Sequence, residues 1–230
     1  MRFGNSVVEP VLRGDVMVRK TKEDAQATIT ALLDAAERIF SEKGVARTTL
    51  NDVALAAGMT RGAIYWHFKD KGDLFQAMCD RVFLPMQTML NEIAATSGQN
   101  PIAALRHVMM HMLIQVTSSA QQRIVFDILF HHCEKNEDMA FFNHETQKSR
   151  ECLSRLDTIV REAVVQGNLN VETDTWIAVQ AINSYLIGLI YEWLRNPQSY
   201  DLAQHAEAMI DTFLAGLVAK PPLKLQVFAH

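Results

Sequence analysis

The chain has 230 residues, 49% of them hydrophobic, and a formal charge of −4. That length allows one or two domains with a sizeable core, and the acidic balance excludes a uniformly basic nucleic-acid binder. The charge is uneven, however: Met17 to Gly72 carries nine Lys and Arg against seven Asp and Glu, whereas from Asp73 onward eleven face seventeen. Phosphate-attracting charge therefore lies toward the N-terminal end.

No apolar run approaches the roughly 20 residues that span a bilayer. Residues 1–16 contain Gly4, Pro10 and Gly14 and lack the apolar centre of a signal peptide, so they read as a disordered extension of a cytoplasmic chain. Cys79, Cys133 and Cys152 are odd in number and widely spaced, which suits reduced thiols rather than a disulfide framework.

The first helix shows in Ile29, Leu32, Leu33, Ala36, Ile39 and Phe40, apolar at three- and four-residue spacing, and stops at Glu42-Lys43-Gly44. Thr49 with Asp52 forms a capping-box pattern that starts a second helix over Leu50 to Ala57. Gly58 suits a left-handed stop, and Thr60 can cap a third helix running through Thr60–Lys69. Three short helices joined by tight turns are the elements of a helix-turn-helix unit at residues 17–70.

In the third helix Ile64 and Phe68 share one face and are placed in the core. Arg61, Gly62, Tyr65 and Trp66 fall on the remaining arc. Arginine can bond guanine O6 and N7, and rings can pack on thymine methyls and sugars, so this arc suits DNA. The alternative is that both aromatics pack against neighbouring helices.

Asp70 can cap a fourth helix from Lys71 toward Ala95, with Pro85 expected to kink it. Five further helices follow: Pro101 to about Thr117 behind the Asn100 cap, Ser119 to about Cys133, and Asp138 to Gln166 stopping at Gly167. The last two start at Thr173 and Asp201 and end near Asn196-Pro197 and Ala219. No useful β-alternation appears, so the fold class is all-α, with a larger helical domain over residues 71–220 and a tail over 221–230.

The run Arg47 to Phe75, RTTLNDVALAAGMTRGAIYWHFKDKGDLF, resembles the N-terminal domain of the TetR family of bacterial repressors. MVRKTKEDAQ from Met17 and WHFKDK from Trp66 are most similar to its AcrR group, which commonly controls multidrug efflux genes. ILFHHCE at Ile128 and YLIGLIYEWL at Tyr185 extend the likeness more weakly. The resemblance implies a repressor of double-stranded operator DNA, released by a small-molecule inducer and acting as a homodimer through its last two helices. It implies DNA contacts from Arg47, Thr49, Thr60, Arg61, Gly62, Tyr65, Trp66, His67 and Lys71, with Arg61 and Tyr65 nearest the bases.

A ligand pocket is expected around the nearly uncharged fifth helix, lined by Phe83, Met86, Met109, Met112, Phe126, Phe130, Cys152, Leu156, Asn183 and Leu186. The eleven methionines would give it a deformable wall. A filled core is the alternative reading of the same stripe. In the eighth and ninth helices Trp176, Ile177, Leu189, Ile210 and Leu214 belong to more than one face, and Ala178, Ala181, Ser184 and Gly188 form a small-residue strip, as a partner helix would need.

Histidines at 107, 111, 131, 132 and 144 raise the question of a metal, but there is no HisGluXaaXaaHis motif, and scattered polar or core histidines account for them. No cofactor and no metal are expected. A helical metal enzyme, a metabolic regulator and an activator remain as alternative functions.

Overall fold

The computed structural model describes residues 13–133 and 141–225. Among these, the chain is helical with one isolated β-bridge, between Thr173 and Leu223. The helices are α1 (Arg13–Lys43), α2 (Leu50–Ala56), α3 (Arg61–His67), α4 (Lys71–Thr96), α5 (Pro101–Ser118), α6 (Ala120–Asp127), α7 (Phe141–Val165), α8 (Thr175–Arg195) and α9 (Leu202–Ala219).

Local chemistry sets most of these boundaries. Gly44, Gly58 and Gly167 take positive φ at the ends of α1, α2 and α7, the region that costs other residues most. The Thr49 hydroxyl accepts from the Asp52 amide while the Asp52 carboxylate accepts from the Thr49 amide, completing the capping box of α2. Thr60, Asp70, Asn100, Ser119 and Asp201 each accept a backbone N–H in the same way. Such a cap is worth about 1 kcal/mol, so several together fix the turns firmly.

Three expectations are corrected. Helix α1 begins at Arg13, inside the segment read as an extension, whose residues 1–12 lie outside the described residues. The eighth helix is capped by Asp174, not started by Thr173, because Thr173 is drawn into the bridge with Leu223 and Asp174 donates its amide to the Pro222 carbonyl. Helix α4 continues past Pro85, as a helix bent at a proline can. The sixth helix does not keep one register to Cys133: after Asp127 it becomes a π-turn, Ile128–His132, in which one extra residue is wound into the turn. The predicted start of the seventh helix at Asp138 lies outside the described residues.

A further correction concerns hydropathy. Helix α8, 21 residues long, is by length and composition apolar enough to cross a membrane. Its Ala178, Val179, Ile182, Leu186, Ile190, Trp193 and Leu194 are buried inside the protein, so much of that apolar surface is consumed by the core.

Two packed regions share one continuous core. In the first, Leu32, Ala36 and Phe40 of α1 meet Val53 of α2 and Ile64 of α3, and Phe40 packs on Phe75 of α4 with ring centroids 5.8 Å apart. In the second, α5 runs through the middle with Leu105, Met109, Leu113 and Val116 fully buried, and α4, α7, α8 and α9 pack around it. Arg106 ties α5 to α9, its Nε donating to Asp211 at 2.6 Å and a second nitrogen to Glu207.

Candidate nucleic-acid interface and the core behind it

Helix α3 divides its side chains cleanly. Ile64 is fully buried and Phe68, which ends the helix in extended conformation, is nearly so. Locking two large apolar groups on one side fixes the rotation of the helix, because truncating either would cost about 2–5 kcal/mol. The opposite side is consequently presented outward: Arg61 and Gly62 are exposed, Tyr65 is 47% exposed and Trp66 is 85% exposed. The alternative in which the two aromatics pack against neighbouring helices does not hold within this protomer. Arg61, Tyr65 and Trp66 thus leave an aromatic and cationic surface uncovered in the protomer.

The guanidinium of Arg61 stands over the Tyr65 ring, 5.3 Å from its centroid, which pre-orders both side chains. Arg47 and Thr49, at the start of α2, are exposed as well. Thr60 is spent on capping α3, and His67 is half-buried with its ring 6.5 Å from that of Phe68. Thus a rigid outward set of arginine, aromatics and a helix start is held on a three-helix frame.

Lys71 departs from the expectation that it reaches out to phosphate. Its ammonium donates to the carbonyls of Val45 at 2.9 Å and Ala46 at 3.1 Å, in the turn between α1 and α2. The same turn is held from the other side, where the Val45 amide donates to the carbonyl of His132 at 3.0 Å. A lysine 26 residues downstream and a π-turn still further along thus brace the loop that carries Arg47 and Thr49.

A second connection lies along α1. Arg81 of α4 donates to Asp34 at 2.7 Å and to Glu37, and the Gln121 side-chain oxygen of α6 accepts from Arg81 Nε at 2.7 Å. Burial pushes the Glu37 carboxyl above its ordinary range, against the lowering effect of Arg81. None of these long-range polar contacts was found from the sequence, since nothing local marks them.

Behind this frame, all the expected pocket residues except Asn183 fall in the one apolar cluster: Met109, Phe126, Leu156 and Leu186 are buried, and Phe83, Met86, Met112, Phe130 and Cys152 pack against it half-exposed. Asn183 is half-buried on α8. Phe83, Phe126 and Phe130 form a ring chain with centroids 5.4 and 5.8 Å apart, which continues to Tyr191 at 5.9 Å. His131 lies against Tyr191 at 4.8 Å. Neither Tyr191 nor His131 was among the expected lining residues.

Several polar atoms are buried here without a partner, among them His131 Nε2, Gln122 Oε1, Asp157 Oδ1 and Trp193 Nε1. Each is costly unless water or another polar group satisfies it. A separate open groove of about 480 Å³ runs between the end of α4 and the start of α5, along Glu92, Ile93, Thr96, Asn100, Ala103 and His107. It contains none of the expected pocket residues.

Among the described residues no cluster of three or more His, Cys, Asp and Glu side chains could hold a metal ion. The His144 side chain lies outside the described residues.

On α8, Ile177, Ser184, Ile187, Gly188 and Tyr191 are exposed along one side, while Ala178 is buried in its own protomer and so leaves the small-residue strip. In α9, Ile210, Leu214 and Leu217 are buried, and Tyr185 joins the two helices by stacking on Phe213 and donating to the Met209 carbonyl.

A braced helix-turn-helix unit on a larger apolar helical body defines a class, the two-part helical transcription regulators. Residues 32–78 match the bacterial regulatory proteins of the tetR family, and residues 100–218 match the C-terminal region of MAATS-type transcriptional repressors. The chain is 37% identical to the HTH-type transcriptional regulator TtgR of Pseudomonas putida over 209 residues, 90% of this chain and all of that protein.

Its fold is similar to that of NalD, the secondary repressor of the MexAB-OprM multidrug efflux pump in Pseudomonas aeruginosa. The TM-score is 0.73 at 29% identity, over 84% of this chain and 97% of that one. It is also similar to SmeT in complex with triclosan, SmeT being the repressor of the Stenotrophomonas maltophilia pump SmeDEF; the TM-score is 0.70 at 31% identity, over 87% and 99% of the two chains. The protein belongs to the TetR family of transcriptional regulators. The relatives it matches are transcriptional regulators.

Proposed function

We propose that the chain is a cytoplasmic, ligand-responsive repressor of a multidrug efflux operon. It binds a palindromic operator as a homodimer and is released by a small apolar or amphipathic inducer. The observation that carries this reading is the exposed Arg61, Tyr65 and Trp66 face of a helix whose opposite face is locked into the core. Arg61 and Tyr65 read bases or the adjoining sugars, Trp66 and Thr49 set position on the backbone, and Arg47 supplies phosphate attraction.

The inducer enters the apolar cluster around Phe83, Met109, Met112, Phe126 and Phe130. Buried polar atoms without partners, such as Gln122 Oε1 and His131 Nε2, suit an amphipathic rather than a purely apolar ligand. The exposed side of α8 packs on its copy, setting two α3 helices about 34–36 Å apart. SmeT, with a similar fold, is known in complex with triclosan, which makes triclosan a fitting first probe.

The test is selection of duplexes from a random pool by purified protein, followed by titration of the selected duplex with triclosan present and absent. An inverted repeat that triclosan releases, with operator DNA weakening triclosan binding by the same factor, is the expected result. Recovery of no enriched sequence would overturn the reading.

A further inference from the structure

At the π-turn that ends α6, one carboxylate meets two successive histidines, the first at ordinary helical spacing and the second five residues on, where the widened turn brings it round. Asp127 Oδ1 lies 2.8 Å from His131 Nδ1, and Asp127 Oδ2 lies 3.3 Å from His132 Nε2. One carboxylate therefore spans both histidines and clamps the widened turn. The next group along is the His132 carbonyl, which accepts the Val45 amide at 3.0 Å.

Val45 is fully buried, and its own carbonyl accepts from Thr48 and from Lys71, so the turn leading to Thr49 is organised around this residue. On its other side the π-turn carries Phe130 and His131 into the ring group with Tyr191. A five-residue element thus touches the apolar cluster with its side chains and the DNA-facing turn with its backbone.

We infer that Asp127 is a positioning residue for operator binding: by clamping His131 and His132 it holds the His132 carbonyl on the Val45 amide, and so latches the turn that carries Arg47 and Thr49. The proposal rests on reading the chain as an operator-binding regulator and gives a route from the ligand domain to the DNA-facing turn through the backbone of the π-turn. A turn held in place before binding does not have to be ordered at the moment of binding, so the latched state has the higher operator affinity. Moving Phe130 or His131 within the ring group would pull on the clamp, and π-turns, which hold one residue more than the helical register, are suited to such a shift.

The test compares Asp127→Leu, which removes the acceptor, Asp127→Asn, whose Oδ1 still accepts from His131, and His131→Leu, which removes the donor. The full-length variants are titrated with the duplex selected by the wild-type protein, and amide-resolved hydrogen exchange is followed without DNA. Expected are operator affinities lowered about tenfold in both leucine variants, with Val45 exchange at least about tenfold faster, unchanged exchange at Val53 in the core of α2, and near wild-type behaviour of Asp127→Asn.

Wild-type operator affinity in the leucine variants overturns the inference. So does equal acceleration at Val45 and Val53, an asparagine variant as impaired as the leucine one, or loss of folded protein in both leucine variants, which would make the pair part of the global core. If the wild type selects no duplex, the operator reading fails separately, and the exchange measurements still decide the latch.

Discussion

Arg61 and Tyr65 act as a pair before any DNA is present: the guanidinium rests on the ring at 5.3 Å, one helical turn apart and on the exposed side of α3. The stacked arginine is held near the direction in which a base edge would approach, so less side-chain freedom is lost on binding. Arg61→Ala should weaken the cognate duplex by about 1–3 kcal/mol and relax preference at one base pair of each half-site. Fluorescence anisotropy against the selected duplex and single-base variants checks this, and an unchanged base preference would remove Arg61 as a reader.

Lys71 has a different signature from a phosphate contact. If its ammonium serves Val45 and Ala46, Lys71→Met should lower thermal stability by about 1–3 kcal/mol and weaken operator binding, while leaving the slope of log affinity against log salt unchanged. A slope reduced by about one unit would instead show that Lys71 leaves the turn to neutralise a phosphate.

Glu37 gives a pH prediction with a definite sign. Burial raises its carboxyl above the ordinary range, with Arg81 opposing and the Asp34 charge adding to the rise. A folded-state value above the unfolded one means that the folded protein binds the proton more tightly. The contribution to stability is therefore full below the ordinary range and is lost as pH rises through the folded value. Glu37→Gln mimics the protonated acid, so it should match wild type in acid and become the more stable of the two toward neutrality. Denaturant melts across that range test this, and a difference that is flat or of opposite slope would contradict it.

Gly188 separates assembly from folding. A Cβ placed there meets no atom within 4 Å in the protomer, and the residue lies on the exposed side of α8. Gly188→Leu should leave the protomer folded, stabilising α8 by up to about 1 kcal/mol, yet crowd a partner helix and shift the dimer toward monomer. Sedimentation at several concentrations decides, and an intact dimer would place the interface elsewhere.

The turns were legible because their causes are local. Thr49 with Asp52, Gly58 before Thr60, and Asn100 before Pro101 each carry the whole signal within four residues. The outward face of α3 could be read because Ile64 and Phe68 are spaced one turn apart, leaving Tyr65 and Trp66 no place inside.

Thr173 was misread because two capping residues stand side by side there, and the choice is made by Leu223 and Pro222, some 50 residues away. The brace of Lys71 on Val45, the Arg81 group and the π-turn contact share this property: residues far apart in the chain meet through groups whose spacing carries no period. The apolar stripe of α5 was equally plain, but a stripe specifies burial and says nothing about whether the space inside is filled.

The tie between Arg106 and the acids of α9 has a consequence for biosynthesis. The DNA-facing unit meets its last brace at His132, whereas the middle of the larger body is covered by α9, which begins only at Leu202. A chain emerging from the ribosome can therefore complete the DNA-facing unit while α5 still awaits α9. A message cut short before Leu202 would encode the DNA-facing unit joined to an uncovered apolar helix, a product suited to capture by chaperones and proteases.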